Sequence, residues 1–250
     1  MLKRLILPAL LASAAWAVPS SALDLKTMNA EERALFREEV RAYLMENPEV
    51  IMEAVQALEE RQAEAQAQAD LTLVSDHSEA IFNDGFSFVG GNPDGDITLV
   101  EFMDYRCGFC KRAYGEVEKL LESDGNIRFI VKEFPILGEQ SLLASRFVIA
   151  AKQLEGDAAY KALHDALMEF NGDITLPALR RLSTTYGLDA EAIEAHMNDE
   201  AVTQEITATR ALAQQLRITG TPTFVMHDEM LRGYLPYDQM RAIVEEKREL

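Results

Sequence analysis

The chain has 250 residues with a formal net charge of −18, 26% charged residues and two cysteines. Such acidity argues against nucleic-acid or anionic-membrane binding and is compatible with plain solubility. Two cysteines are too few for a disulfide-stapled scaffold, so the core must be mainly hydrophobic.

Met1–Ala22 reads as an export signal: Lys3 and Arg4 precede an apolar run, Leu5–Val18, and Ser20-Ser21-Ala22 offers a small-residue cleavage site, with Ala15-Trp16-Ala17 as a second. The run is short for a membrane span, and an uncleaved anchor is the alternative. Export predicts a bacterial periplasmic, oxidising destination. Cleavage would leave 22 basic against 42 acidic residues, a charge of −20.

Residues 23–70 are rich in Glu, Ala, Gln and Leu, lack glycine and hold a single proline. Asn29 or Thr27 is placed to cap a helix carrying Leu35, Phe36, Val40, Tyr43 and Leu44 on one face. Asn47-Pro48-Glu49 reads as a second helix start, with Asn47 as N-cap. Ile51, Val55, Leu58 and Gln62 continue at three- and four-residue steps, and Leu44, Ile51 and Leu58 recur every seven. A short arm cannot bury such a stripe alone. It packs either on its own catalytic domain or on copies of itself, and periodicity does not choose. From Arg61 the pattern weakens into a solvated helix or linker.

Strands are predicted at Phe86–Val89 and Ile97–Met103, with a Gly/Asn/Pro/Asp turn between them. Arg106-Cys107-Gly108-Phe109-Cys110 follows, then a helix over Lys111–Leu121, which puts Cys107 at a helix N-terminus. There the helix dipole and free N–H groups favour a thiolate, with Arg106, Lys111 and Arg112 as cationic flanks. Any intramolecular disulfide must join Cys107 to Cys110. A zinc site needs two further ligands, yet His77, His164, His196 and His227 are scattered and read as surface or capping residues. Haem attachment needs histidine where Lys111 stands, and an inert disulfide would close too short a loop to stabilise much. The context therefore favours redox chemistry. A strand at Ile127–Phe134, a helical block over about 139–217, strands in Ile218–Met226 and Met230–Gly233, and a helix over Pro236–Lys247 complete the chain.

The order β-α-β, helical insert, β-β-α, with Cys107-Gly108-Phe109-Cys110 and Gly220-Thr221-Pro222-Thr223-Phe224, resembles the DsbA family of periplasmic thiol–disulfide oxidoreductases within the thioredoxin superfamily. Phe134-Pro135-Ile136-Leu137-Gly138 and Tyr43-Leu44-Met45-Glu46-Asn47-Pro48-Glu49-Val50 resemble the suppressor-of-copper-sensitivity protein C branch, whose N-terminal segment mediates trimerisation. The implied architecture is an α/β thioredoxin fold with a helical insertion: signal 1–22, helical oligomerisation arm and linker 23–70, catalytic domain 71–250. The resemblance implies that Cys107 is the exposed nucleophile, Cys110 the buried resolving thiol and Pro222 a cis proline facing them. Thr221, Pro222, Gly108 and Phe109 would contact substrate. Glu101 matches the family's buried acid and would exchange a proton with Cys110. Lys132 and Glu133 are placed to join a charge network, while Met226, Met230 and Met240 read as core filler. Gly108-Phe109 departs from the Pro-His and Gly-Pro dipeptides of well-known members, so no redox potential carries over.

The expected activity is disulfide isomerisation or reduction by a trimer, on cysteine-bearing periplasmic proteins, with a membrane redox partner and no cofactor or metal. A monomeric dithiol oxidase is the alternative. A Cu(I)-handling protein using the same thiolates and a non-catalytic holdase are rivals of other classes.

Overall fold

The computed structural model describes residues 26–249, so the export signal lies outside the described residues. The chain divides into two compact units at Glu60/Arg61.

In the first unit, α1 (Ala30–Glu46) starts on a capping box. Asn29 Oδ1 accepts from the N–H groups of Glu31 and Glu32 at 2.9 and 3.0 Å, and the Glu32 carboxylate accepts from the Asn29 N–H at 2.9 Å. Three donors at the helix end are thereby satisfied. Asn47 differs from the expected N-cap. It closes α1 instead, with both its backbone N–H and its side-chain amide donating to the Tyr43 carbonyl. Helix α2 (Glu49–Asp76) begins after Pro48, which has no N–H to leave unpaired. No residue of α1 is buried, and Leu35, Val40, Tyr43, Ile51 and Leu58 are all exposed.

The second unit continues from the C-terminal part of α2, where Asp70 and Val74 are buried, through α3 (Ser78–Phe82). Strands β1 (Phe88–Gly91) and β2 (Ile97–Met103) follow, then α4 (Gly108–Asp124) and β3 (Ile127–Glu133). The insert is five helices: α5 (Glu139–Glu155), α6 (Asp157–Glu169), α7 (Leu176–Thr185), α8 (Ala190–His196) and α9 (Glu200–Gln215). Strands β4 (Thr223–Met226) and β5 (Glu229–Arg232) and helix α10 (Tyr237–Glu249) end it.

The sheet order is β1-β3-β2-β4-β5. Only β2 and β3 run parallel, Glu101 opposite Val131, because α4 supplies the crossover that a parallel pair requires. The first predicted strand starts two residues late for a local reason. The Asp84 carboxylate takes the N–H groups of Phe86 and Ser87 at 3.1 and 2.9 Å and bends them into a turn. Gly91, at φ +63°, closes the edge, since a Cβ there would stand 2.4 Å from the Ile127 carbonyl oxygen.

Strand alternation splits the core in two. Leu99, Met103, Phe129 and Val131 pack with Ala113, Val117 and Leu120 of α4 and with the insert. Val100, Phe102, Ile130 and Val225 pack on the other face with Leu212 and Leu216. Met226, Met230 and Met240 are buried filler. The α/β thioredoxin fold with a helical insertion is therefore present, with β2 ending at the centre of the sheet where α4 begins.

Candidate active site

The site is assembled at the C-terminal end of β2. Asp104 is fully buried and joins two loops: Oδ1 accepts from the Arg106 N–H at 2.7 Å, and Oδ2 from the N–H groups of Ile136 and Leu137 at 2.8 and 3.0 Å. Sequence reasoning missed this residue, although an aspartate two residues before a turn N–H is an Asx-turn signal. The bend delivers Cys107 as the N-cap of α4, and its Sγ accepts from the Cys110 N–H at 3.3 Å.

Antiparallel pairing of β2 with β4, Phe102 opposite Thr223, carries the loop before β4 to the same end. Its Thr221–Pro222 bond is cis, and the Cys107 thiol donates to the Thr221 carbonyl at 3.1 Å. Pro222 O accepts from the Gly233 N–H, which ties this loop to the one after β5.

Both cysteines are free thiols, in unlike surroundings. Cys107 is only 6% exposed, not the exposed sulfur that the resemblance implies, because the Thr221 carbonyl and the start of α4 close over it, and its pKa is lowered to about 6. Hydrogen bonding from the Cys110 side chain is the main cause, aided by Thr221 and the N–H groups of Cys110 and Phe109, against the cost of burial. Burial pushes the fully enclosed Cys110 thiol far up, with Cys107 and Glu101 adding negative charge nearby. The surroundings thus favour the thiolate at Cys107 and the protonated thiol at Cys110.

Glu101 is 2% exposed on the face of β2 that looks towards α4. Burial, then the charges of Cys107 and Glu133, raise its pKa to about 8. Its Oε1 has no hydrogen-bond partner among the described residues. Lys132 and Glu133 do not share one network, because adjacent strand residues point to opposite faces. Lys132 Nζ lies 2.6 Å from Asp84 and 2.9 Å from the Ala80 carbonyl oxygen on the far face. Glu133 faces Glu101's side and accepts from the hydroxyls of Tyr105, Tyr160 and Ser145 at 2.7, 2.6 and 2.6 Å.

His164 corrects the surface reading of the histidines. It is buried, stacks on Tyr160, and its Nδ1 lies 3.1 Å from the Tyr105 hydroxyl. Burial lowers its pKa to about 4.

The rim is apolar and cationic. Phe109 is 56% exposed, and the space beside Gly108 is open. The Arg112 guanidinium sits 5.6 Å from the Phe109 ring centre and 4.8 Å from that of Tyr234. Lys111 is not a flank of the sulfur: its ammonium donates to the Leu167 and Phe170 carbonyls at the end of α6. Among the described residues, no group of three or more His, Cys, Asp or Glu side chains is arranged to hold a metal ion.

Residues 98–245 match the family described as DSBA-like thioredoxin domain, and residues 32–65 the family described as Copper resistance protein ScsC N-terminal domain. A thioredoxin-like oxidoreductase from Silicibacter pomeroyi DSS-3 is 40% identical at a TM-score of 0.65, covering 69% of this chain and 98% of that one. Proteus mirabilis ScsC in a compact conformation is 31% identical at a TM-score of 0.63, covering 88% and 97%. Among curated proteins, Disulfide bond formation protein D of Bacillus subtilis (strain 168) is 24% identical over 169 residues, 63% of this chain and 75% of that protein. The chain spans only 24% of the length of the Na(+)/H(+) antiporter NhaA 1 of Salinispora arenicola, which it also matches.

Proposed function

The chain belongs to the DSBA-like thioredoxin family, and from that premise we propose that this thiol–disulfide oxidoreductase of DsbA/ScsC type works as an oligomeric disulfide isomerase and reductase. The observation that carries the chemistry is the inequality of the two thiols, a lowered Cys107 against a buried, raised Cys110.

Cys107 thiolate attacks one sulfur of a substrate disulfide. A new Cys107–substrate bond forms, and the other substrate sulfur leaves as a thiolate. In reduction, Glu101 first gives its own proton to the departing substrate thiolate, then takes the proton of Cys110 as Cys110 attacks Cys107. The Cys107–Cys110 disulfide forms, the second substrate thiolate leaves, and two electrons have passed to substrate. Glu101 is suited to this step because Cys107's negative charge, one cause of its raised pKa, is gone in the mixed disulfide. In isomerisation a second substrate thiolate attacks the mixed disulfide instead. Cys107 then leaves readily as a stable thiolate, with no net electron transfer.

Substrate binding is assigned to the loops around the sulfur. The Thr221 carbonyl accepts from the Cys107 thiol; ionising that thiol removes the donor and frees the carbonyl for an N–H of an extended peptide. Phe109, exposed beside open space at Gly108, offers an apolar contact.

The exposed stripe of Leu35, Val40, Ile51 and Leu58 supports self-association, and we assign a trimer, in which several thiolates can engage one misfolded protein. The reading includes export to the periplasm through Met1–Ala22 and a membrane redox partner that keeps the dithiol reduced. No helix among the described residues is long and apolar enough to cross a membrane.

Reactivation of a scrambled-disulfide protein tests the reading, comparing the unaltered chain with Leu35→Gln/Ile51→Gln/Leu58→Gln, each sized by light scattering. The expected result is an oligomer that isomerises and a monomeric variant that only oxidises. If both are monomers that oxidise a dithiol peptide without isomerising, the chain is a plain oxidase. Absent exchange, with Cys107 slow to alkylate, overturns the redox reading in favour of Cu(I) binding.

A further inference from the structure

Glu133 has no role in the chemistry above, yet it is a buried ionisable group on the central sheet. Strands β2 and β3 are parallel neighbours with Glu101 opposite Val131 and Met103 opposite Glu133. Side chains two residues apart share a face, so Glu101 and Glu133 are diagonal neighbours on the side of the sheet that carries Cys110.

Their surroundings are opposite in kind. Both Glu133 oxygens are occupied by donors: the Tyr105 and Tyr160 hydroxyls on Oε1 and the Ser145 hydroxyl on Oε2. Tyr105 O–H points at Glu133, so its oxygen accepts from His164 Nδ1–H, which fits a neutral imidazole. Three donors suit a carboxylate, which only accepts. Glu101 has the reverse, a buried Oε1 with no partner. Hydrogen bonds to the charged form favour ionisation, burial without them favours the acid, and two like charges on one face resist ionising together.

We propose that Glu133 is the ionised member of a buried two-carboxylate pair and, acting through Glu101, positions the proton that Cys110 gives up and takes back. Glu133 is a positioning residue, since nothing brings it to the reacting sulfurs. The inference rests on the disulfide-exchange reading and adds to it the group that sets Glu101's acidity. In the mixed disulfide Cys107 carries no charge, so Glu101 gives its own proton to the departing substrate thiolate; as Cys110 attacks, its proton passes to the ionised Glu101, and when the Cys107–Cys110 disulfide is reduced again a proton returns from Glu101 to Cys110. Other ionisable groups face the pair. They are Asp104 and Tyr105 after β2, Tyr160 and His164 of α6, and the two cysteines. Lys152 of α5 and Glu205 of α9 line, with Glu133, a cleft that opens to the surface. Burial, with the charge of Asp104, raises Glu133 to about 7 against the pull of its three donors, and the Glu133 charge is one cause of Glu101's raised pKa.

The test is Glu133→Gln in the full chain, with side-chain carboxyl carbons followed by NMR against pH. Gln keeps the geometry: its carbonyl accepts from both tyrosines, and its amide donates to Ser145. The unaltered chain should show two macroscopic midpoints for the pair. The variant should keep one, lying about a pH unit or more below the upper midpoint of the unaltered chain. The pH profile for release of substrate from the mixed disulfide should move with it. Should Glu133→Gln fail to fold, Ser145→Ala retains both charges and removes one donor, and should raise the lower midpoint while leaving the upper one in place. An upper midpoint unmoved in Glu133→Gln, or a lower one unmoved in Ser145→Ala, overturns the inference alone. Absent exchange in the unaltered chain overturns the redox reading and this inference with it.

Discussion

Helices α1 and α4 are each 17 residues long, and each begins on a side-chain cap, Asn29 in one and Cys107 in the other. They spend the cap differently. The Asn29 amide oxygen satisfies backbone donors and holds a helix none of whose residues is buried among the described residues. In α4 the capping atom is a sulfur, so the N–H that would stabilise a helix end also stabilises a thiolate. Ala113, Val117 and Leu120 meanwhile anchor that helix to the core at three- and four-residue steps. Reactivity needs a fixed frame, and the buried stripe of α4 supplies it. The exposed stripe of α1 has no frame of its own, which is why we assign its partner to another copy.

The largest effect expected is from Cys107→Ser. Serine is a good N-cap, so the helix and the melting temperature should be nearly unchanged while disulfide exchange falls by roughly a thousandfold or more. A variant that loses stability in step with activity would mean that the cap and the chemistry are not separable.

Next in size is the arm variant Leu35→Gln/Ile51→Gln/Leu58→Gln. It should lose isomerisation by about tenfold or more, the scale of avidity from linked sites, while Cys107 alkylates at the same rate. Slower alkylation would show that the arm shapes the thiol itself.

The buried acids of the catalytic unit should make its stability fall as pH rises. Unfolded, Glu101 and Glu133 ionise near 4.5; folded, they hold protons to about 8 and about 7. Between those values the unfolded chain binds fewer protons, so stability drops with pH by at most about 1.4 kcal/mol per unit for each carboxyl. His164, lowered from 6.5 to about 4, works the other way, and its contribution is lost as pH falls through that window. Urea titrations of the unaltered chain and Glu101→Gln check this; equal slopes above pH 7 would contradict it.

The smallest effect is Asn29→Ala, which should cost about 1 kcal/mol of local helix stability. It should appear as lower helicity at 222 nm with exchange activity intact. A drop in thiol reactivity in this variant would break the contrast between the two caps.

Much of the catalytic unit was legible from local pattern. The apolar run Ile97–Met103 became β2 with the predicted bounds, and Cys107 took its place at the start of α4 because strand, turn and helix signals lie within a few residues of each other. The cis Thr221–Pro222 bond came from resemblance, not from periodicity. Asn47 misled because asparagine caps either end of a helix, and its amide turned back to Tyr43.

The sequence by itself determined which residues would be apolar, which segments would be helical or extended, and that its two cysteines would flank one turn at a strand–helix junction. Tertiary structure alone decided who stands opposite whom. Strand β1 pairs with β3 and not with its sequence neighbour β2. Asp104 reaches across to Ile136 and Leu137, and His164 is drawn into the core from a helix some sixty residues beyond β2. Glu133 meets hydroxyls from three separate segments. Periodicity fixes which face of an element is buried, but the partner on that face is set by long-range register and packing, and in this site the partners set the acidities.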